Sequence, residues 1–213
     1  MDWLLSPAYY DRHLIRFLNK HVEGKPIVGI NLGSGNNDIS GNLTNVDIFP
    51  FPHVNIVGDI GNLPFKDGSV DLVINYQVLE HVPNPEKVVS EIYRVLRPGG
   101  WVYTVFPFMQ GFHASPYDYS RRTSEGIKVL HEGFEMQETR CVGGPTSGLL
   151  WVFQDYVAII LSLGSERVYS VVYALMMALT FPIKFLDVLL VHHPLAKKIS
   201  SSFVYVGVKP GRD

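Results

Sequence analysis

Three places in the first sixty residues carry groups able to hold a nucleoside. Gly33-Ser34-Gly35 follows the apolar run PIVGINL, and glycines at such a turn let backbone amides approach a ligand closely. Twelve residues beyond Gly35, Val46-Asp47 closes a second run; a carboxylate there can accept hydrogen bonds from both hydroxyls of a ribose. Gly58-Asp59 closes a third, with a carboxylate suited to the exocyclic amine of adenine. Taken singly, each is also an ordinary tight turn, cap or turn residue. In order, at three consecutive strand ends, they describe one site.

Groups suited to proton transfer lie further along. Asn75 and Tyr76 end a fourth run, and Glu80-His81 follows it; that pair reads equally as a cap or packing feature and as a substrate contact. The stretch FMQGFHASPYDYSRRT then holds His113, Tyr117, Asp118, Tyr119, Arg121 and Arg122 within ten residues. One reading makes His113 a general base or orienting group, Tyr117 and Tyr119 walls, and Arg121 the anchor of an anionic substrate part. The other makes the stretch a surface loop, with Asp118 capping the next helix and the arginines solvated. Asp67-Gly68 reads as a turn.

The elements that must position these groups follow from periodicity. From about Tyr9 to His21, Leu14, Ile15, Phe17 and Leu18 fall near helical spacing, leaving Arg12, Arg16 and Lys20 to solvent. Five runs come next: PIVGINLG, TNVDIF, VNIVGD, VDLVINYQ and WVYTVFPF. Their continuous Val/Ile character is that of parallel strands buried on both faces. The clearest crossover is NPEKVVSEIYRVLRPGG, with Asn84 as N-cap, Pro85 at the first helical position, and Val88, Ile92, Val95 and Leu96 on one face. A short helix near 124–131 and strands FEMQETRCV and SSFVYVGVKP complete the pattern.

Length and composition bound the rest. The 213 residues suit one α/β domain, with residues 1–141 and 200–213 as its core and 142–199 as an insertion. A net charge of −2 with 46% apolar residues argues against disorder and against a nucleic-acid partner. Cys141 is the only cysteine, so there is neither an internal disulfide nor a cysteine-built zinc site, and no metal is expected. The opening residues show no export signal. The expected location is cytoplasmic, with peripheral contact at the inner membrane face left open.

Residues 142–199 contain only seven Asp, Glu, Lys or Arg. Positions 149, 152, 153, 156, 157, 160 and 161 make one apolar helical face, opposite Gln154 and Asp155. Val168 to Ile183 is uncharged and interrupted by Pro182, short of the ~20 residues that span a bilayer. Two uses are open: a helical cap over the active site or a dimer partner, which is favoured, and a hairpin in the membrane interface delivering a lipid-linked acceptor.

The series NLGSGNN, NVDIFP and VGDIGNLPFKDGSVDLVINYQVLEHVPNPEKVVSEIYRVLRPGGWVYTVFP, from about residue 26 to 107, resembles the class I S-adenosylmethionine-dependent methyltransferase domain of the type 11 family. The resemblance implies a Rossmann-like seven-stranded sheet, mostly parallel with an antiparallel last strand, and a helical insertion before that strand. It implies that Gly33, Ser34 and Gly35 hold the methionine part of the cofactor. Asp47 with Ile48 would hold the ribose and Asp59 with Ile60 the adenine; Asn31, Asn75 and Tyr76 would line the same cleft. The chain departs from the family in having Asn31 for the usual acid and Asn37 for a third glycine. The short Gly35–Asp47 spacing leaves room only for a loop or a single turn. The stretch after the fifth run is similar to an H-x-x-P-x-D-Y-x-R-x-T pattern of one subgroup.

Methyl transfer to a hydroxyl needs a base, because a neutral alcohol attacks poorly. His113, Tyr117, Asp118, Arg121 and His81 are the candidate catalytic residues, with His113 as the base or orienting group and Arg121 as an anchor. The acceptor class spans small molecules, saccharides and lipid-linked compounds, and a homodimer is compatible. A nicotinamide enzyme would carry G-x-G-x-x-G and an acid about twenty residues on, whereas Asp38 replaces the third glycine here. A non-catalytic binding module of the same fold is the remaining alternative.

Overall fold

The computed structural model describes residues 10–22, 24, 26–36 and 38–211; Asn37 and the first nine residues lie outside them. Helix α1 (Tyr10–His21) leads into β1 (Gly29–Leu32), β2 (Leu43–Asp47), β3 (Ile56–Val57) and β4 (Val70–Tyr76). After a 3-10 turn at Leu79–His81 come α2 (Pro85–Val95), β5 (Leu96–Pro107), α3 (Ser124–Leu130) and β6 (Glu135–Val142). A helical segment follows, comprising α4 (Pro145–Ser162), α5 (Glu166–Thr180), 3-10 turns over Phe181–Leu186 and α6 (Asp187–Leu190), before β7 (Ser202–Val208) closes the sheet.

The sheet is a single seven-stranded layer of order β3-β2-β1-β4-β5-β7-β6. β7 runs antiparallel to both β5 and β6, and the pairs among β1 to β5 are parallel. This is the Rossmann-like sheet with its antiparallel last strand. The order reverses between β1 and β4, and open α/β sheets bind ligands at the carboxyl edge of such a switch point.

Alternation along β4 distributes the core. Val73 packs with α2 residues Val88, Val89 and Ile92 and with Ile127 and Leu130 of α3, on one face. Leu72 and Ile74 pack with Leu14, Phe17 and Leu18 of α1, on the other. Burying each such side chain contributes roughly 1.5–3 kcal/mol. Asn84 caps α2 by accepting from the Lys87 amide at 2.9 Å, and Pro85 opens the helix. Ile15, expected among the apolar positions of α1, is instead half exposed, because Leu14, Phe17 and Leu18 already fill the seam against the sheet.

Helix α4 reverses its expected orientation. Leu149, Val152, Phe153, Tyr156, Ile160 and Leu161 face solvent, while Gln154 is 4% exposed. The physical reason is a polar seam between the helices. Gln154 donates to the Thr180 hydroxyl at 2.6 Å, Tyr169 donates to Asp155, and Asp187 accepts from the amides of Thr146 and Ser147 at 2.8 and 2.7 Å. These contacts fix which face of α4 turns inward.

Candidate active site

Backbone hydrogen bonds draw the first two strand ends together. The Gly33 amide donates to the Val46 carbonyl at 2.8 Å. The Gly35 amide donates to Asp47 Oδ2 at 2.8 Å, and Asp47 Oδ1 accepts from Phe49 at 2.9 Å. The Asp47 carbonyl accepts from Gly58, so Asp59 begins where the β2 edge ends. Asp59 itself accepts from the Gly61 amide at 2.8 Å and is exposed.

The two glycines serve different ends. Gly33 has φ +60°, and a Cβ there would lie 2.5 Å from Val78, which follows β4; the glycine lets the β1 and β4 loops touch at the switch point. Gly35 has φ +54° with nothing within 4 Å of an added Cβ, so its backbone faces open space beside the Asp47 carboxylate. Ser34 is buried, and its hydroxyl has no partner among the described residues. An open glycine turn, a buried orphan hydroxyl and a buried carboxylate with lone pairs to spare fit an amino-acyl nucleoside.

Other residues expected here support the site from beneath. Asn31 donates to Asn45, whose own amide reaches the His53 carbonyl. Asn75 is fully buried and donates to Thr104 Oγ1 at 2.8 Å, which lies 2.9 Å from His131 Nε2. Burial lowers the His131 pKa to about 4, against the pull of the Ile127 carbonyl. A neutral ring therefore donates from Nδ1 to Ile127 and accepts from Thr104. Ile60 buries its side chain in the core, leaving its backbone for ligand contact, whereas Ile48 is exposed at the rim. Tyr76 packs its ring on the α1 side of the sheet.

Across the switch point stands an acid-base cluster. The Glu80 side chain is fully buried, and among the described residues neither of its oxygens has a hydrogen-bond partner. His81 Nε2 lies 3.7 Å and His113 Nε2 3.8 Å from Glu80 Oε1. Each imidazole is oriented through its other nitrogen: His81 Nδ1 to the Tyr117 carbonyl at 2.6 Å, His113 Nδ1 to the Gly111 carbonyl at 3.0 Å. Two ring lone pairs facing a buried carboxylate need a proton or another cation between them. Burial disfavours the His113 imidazolium, yet Glu80 and the Gly111 carbonyl outweigh it and leave the pKa raised. The same three residues offer donor atoms within 4.8 Å of one another, a set able to hold a metal ion. The sequence marks Glu80-His81 as a pair, and of the two it is Glu80 that is fully buried.

The pattern residues around His113 take altered roles. Arg121 directs its five N–H donors to Asp118, to the Asp118 second oxygen, and to the carbonyls of Gln110, Gly111 and Ser120. With no donor left over, it is a clamp and not an anion anchor, which corrects that expectation. Asp118 does not cap α3; Thr123 does, accepting from Gly126 at 3.1 Å. Asp118 instead accepts from the His113 amide at 2.8 Å. Burial works against its charge, but Arg121 prevails and holds its carboxyl below the usual range. The Tyr117 and Tyr119 rings contact each other and are exposed, and the Tyr119 amide donates to the Glu80 carbonyl. Arg122 reaches Glu86 on α2.

Gln77 was also missed. It has φ +54° immediately after β4 and donates to Ser202, and no residue type near it marks that conformation. A left-handed non-glycine residue costs on the order of 1–3 kcal/mol and gathers at functional sites.

Residues 13–104 match the model of the methyltransferase domain family. The matched stretch is under half of the chain and is similar to that domain. A Mycolicibacterium smegmatis protein named "Probable S-adenosylmethionine-dependent methyltransferase" is 51% identical over 98 residues, covering 42% of this chain and 38% of its own length. The matched stretch is thus well under half of that relative. Among solved structures, the [4+2]-cyclase SpnF superposes with a TM-score of 0.61 at 16% identity, covering 95% of this chain and 82% of that one. The Burkholderia thailandensis 1,6-didemethyltoxoflavin-N1-methyltransferase, solved with S-adenosylhomocysteine, gives 0.60 at 14% identity, covering 99% and 82%. At such identities the structures establish a shared fold, and a cyclase among them shows that the fold alone does not name the chemistry.

Proposed function

We propose that the chain is an S-adenosylmethionine-dependent methyltransferase acting on a hydroxyl of a small-molecule, saccharide or lipid-linked acceptor. The methyltransferase domain match supports the cofactor, and the observation that carries the acceptor chemistry is the buried Glu80 carboxylate facing His113. When bound, the cofactor supplies a methyl carbon made electrophilic by a sulfonium leaving group. Gly33, Ser34 and Gly35 would hold its amino-acyl part through backbone amides and the orphan hydroxyl, Asp47 the ribose and Asp59 the adenine.

With its Nε2 unprotonated, His113 would take the proton of an acceptor hydroxyl as that oxygen received the methyl group. Asp118 and Arg121 hold the His113 loop, and Glu80 stabilises the imidazolium that forms. His81, tied to the Tyr117 carbonyl, positions the loop on the β4 side. The test is transfer of labelled methyl from S-adenosylmethionine to cell-envelope extract, with small-molecule and lipid fractions counted separately. Label above that of heat-inactivated protein supports the reading. Cofactor binding with no transfer to any fraction supports a non-catalytic module instead.

A further inference from the structure

The helical segment between β6 and β7 is polar within and apolar without. Leu149, Val152, Phe153, Tyr156 and Ile160 on α4 point outward, Leu163 at the tip is 94% exposed, and Val168, Val171, Leu175 and Leu179 continue the surface on α5. The path Glu166–Leu190 is 25 residues long and apolar enough to cross a membrane by length and composition, yet only 11% of its most apolar window is buried. No Asp, Glu, Lys or Arg falls between Arg167 and Lys184. A water-facing helix pair has the opposite arrangement.

The larger polar side chains between the two helices find partners there, as a lipid environment favours. Gln154 meets Thr180, Tyr169 meets Asp155, and Asp187 caps the first turn of α4. A second copy would cover one side of this surface. The exposed apolar residues instead run along α4, round the tip and on through Phe185, Leu186, Val188 and Leu189. Glu166 and Arg167 keep the tip at headgroup level, so the pair lies along an interface and does not span it. Beyond α6, His193, Lys197 and Lys198 are exposed, while Asp187, the single carboxylate of residues 168–199, is buried in its capping role. That end complements anionic headgroups.

We propose that α4, α5 and the turns through Leu190 seat in the interfacial region of an anionic phospholipid bilayer and bring the Glu80–His113 site to a lipid-borne acceptor. The link to the site is direct. The Trp151 ring of α4 lies 5.4 Å from that of His113, and a Cβ on Gly111 would meet Trp151 and Asp155. Membrane seating stands on the surface alone; the acceptor part rests on the methyl-transfer reading.

Vesicle flotation of the full chain, without cofactor, tests the seating separately from catalysis. Vesicles of phosphatidylcholine and phosphatidylglycerol in equal parts should carry the protein up the gradient. The double variant Leu163→Glu, Leu175→Glu should lose at least tenfold in partitioning, with circular dichroism and thermal midpoint unchanged because both residues are exposed. Lys197→Gln with Lys198→Gln should weaken anionic-vesicle binding by about thirtyfold, at about 1 kcal/mol per basic residue, and spare the weaker binding to phosphatidylcholine alone. A monodisperse monomer or dimer that ignores both vesicle types overturns the proposal, as does binding unaffected by the two glutamates.

Discussion

Replacing Glu80 by Gln keeps the shape of the side chain and removes its charge. Glu80 Oε1 lies 3.8 Å from His113 Nε2. At an effective dielectric of about 20, a carboxylate and an imidazolium at that distance attract by about 4 kcal/mol. Burial opposes this, so the net effect on His113 is smaller, and its direction is upward from the ordinary 6.5. Removing the carboxylate leaves burial unopposed except by the Gly111 carbonyl, and the His113 titration should move to lower pH. The sign carries to stability: a raised imidazole pKa contributes folding free energy that is full below the unfolded value and lost as pH rises through the folded one. The variant should therefore be most destabilised in mild acid and should approach the parent at alkaline pH. The assay is proton NMR of the imidazole resonances, with His113 identified by the signal missing in His113→Ala. A His113 titration in Glu80→Gln that is unmoved, or moved to higher pH, refutes the coupling. Stoichiometric metal in the purified chain would replace the proton-transfer reading of the cluster.

The remaining expectations follow from the same geometry. His113→Ala should lower turnover by roughly 10²–10⁴, the usual worth of a general base, with cofactor affinity near normal by calorimetry. Asp118→Asn leaves the Arg121 guanidinium short of its partner and should cost about 3 kcal/mol in urea unfolding at neutral pH. Because Asp118 has a lowered pKa, its contribution holds above the unfolded value near 3.8 and fades as pH falls through the folded one, so parent and variant should converge in acid. Gly33→Ala must displace Val78, whereas Gly35→Ala meets only an unfavourable φ. The first should lose the greater stability by thermal unfolding, and the second should lose cofactor affinity out of proportion to its stability.

How far these features were legible depends on what each residue's neighbours had to supply. The central strands announced themselves because burial on both faces forces continuous Val/Ile runs, and Asn84-Pro85 marked the start of α2 chemically. The convergence of Gly35 with Asp47 was readable because both close strands that pair in register, and residue identity fixes where each run ends. Glu80-His81 was visible as a pair, but adjacency says nothing about which side chain turns inward from a 3-10 turn. Arg121 misled because its acceptors are loop carbonyls at 110, 111 and 120, which no residue type advertises. Helix α4 shows the limit of periodicity: spacing gives a face, but only the polar seam with Thr180 and Tyr169 determines which way the face points.

Calorimetric titration of the purified chain with S-adenosylhomocysteine bears most directly on the β1–β2–β3 edge as the cofactor seat. Saturable binding at one site per chain, reduced at least a hundredfold in a folded Asp47→Ala variant, is the expected result. Binding of equal strength in parent and variant, or none in the parent, contradicts it.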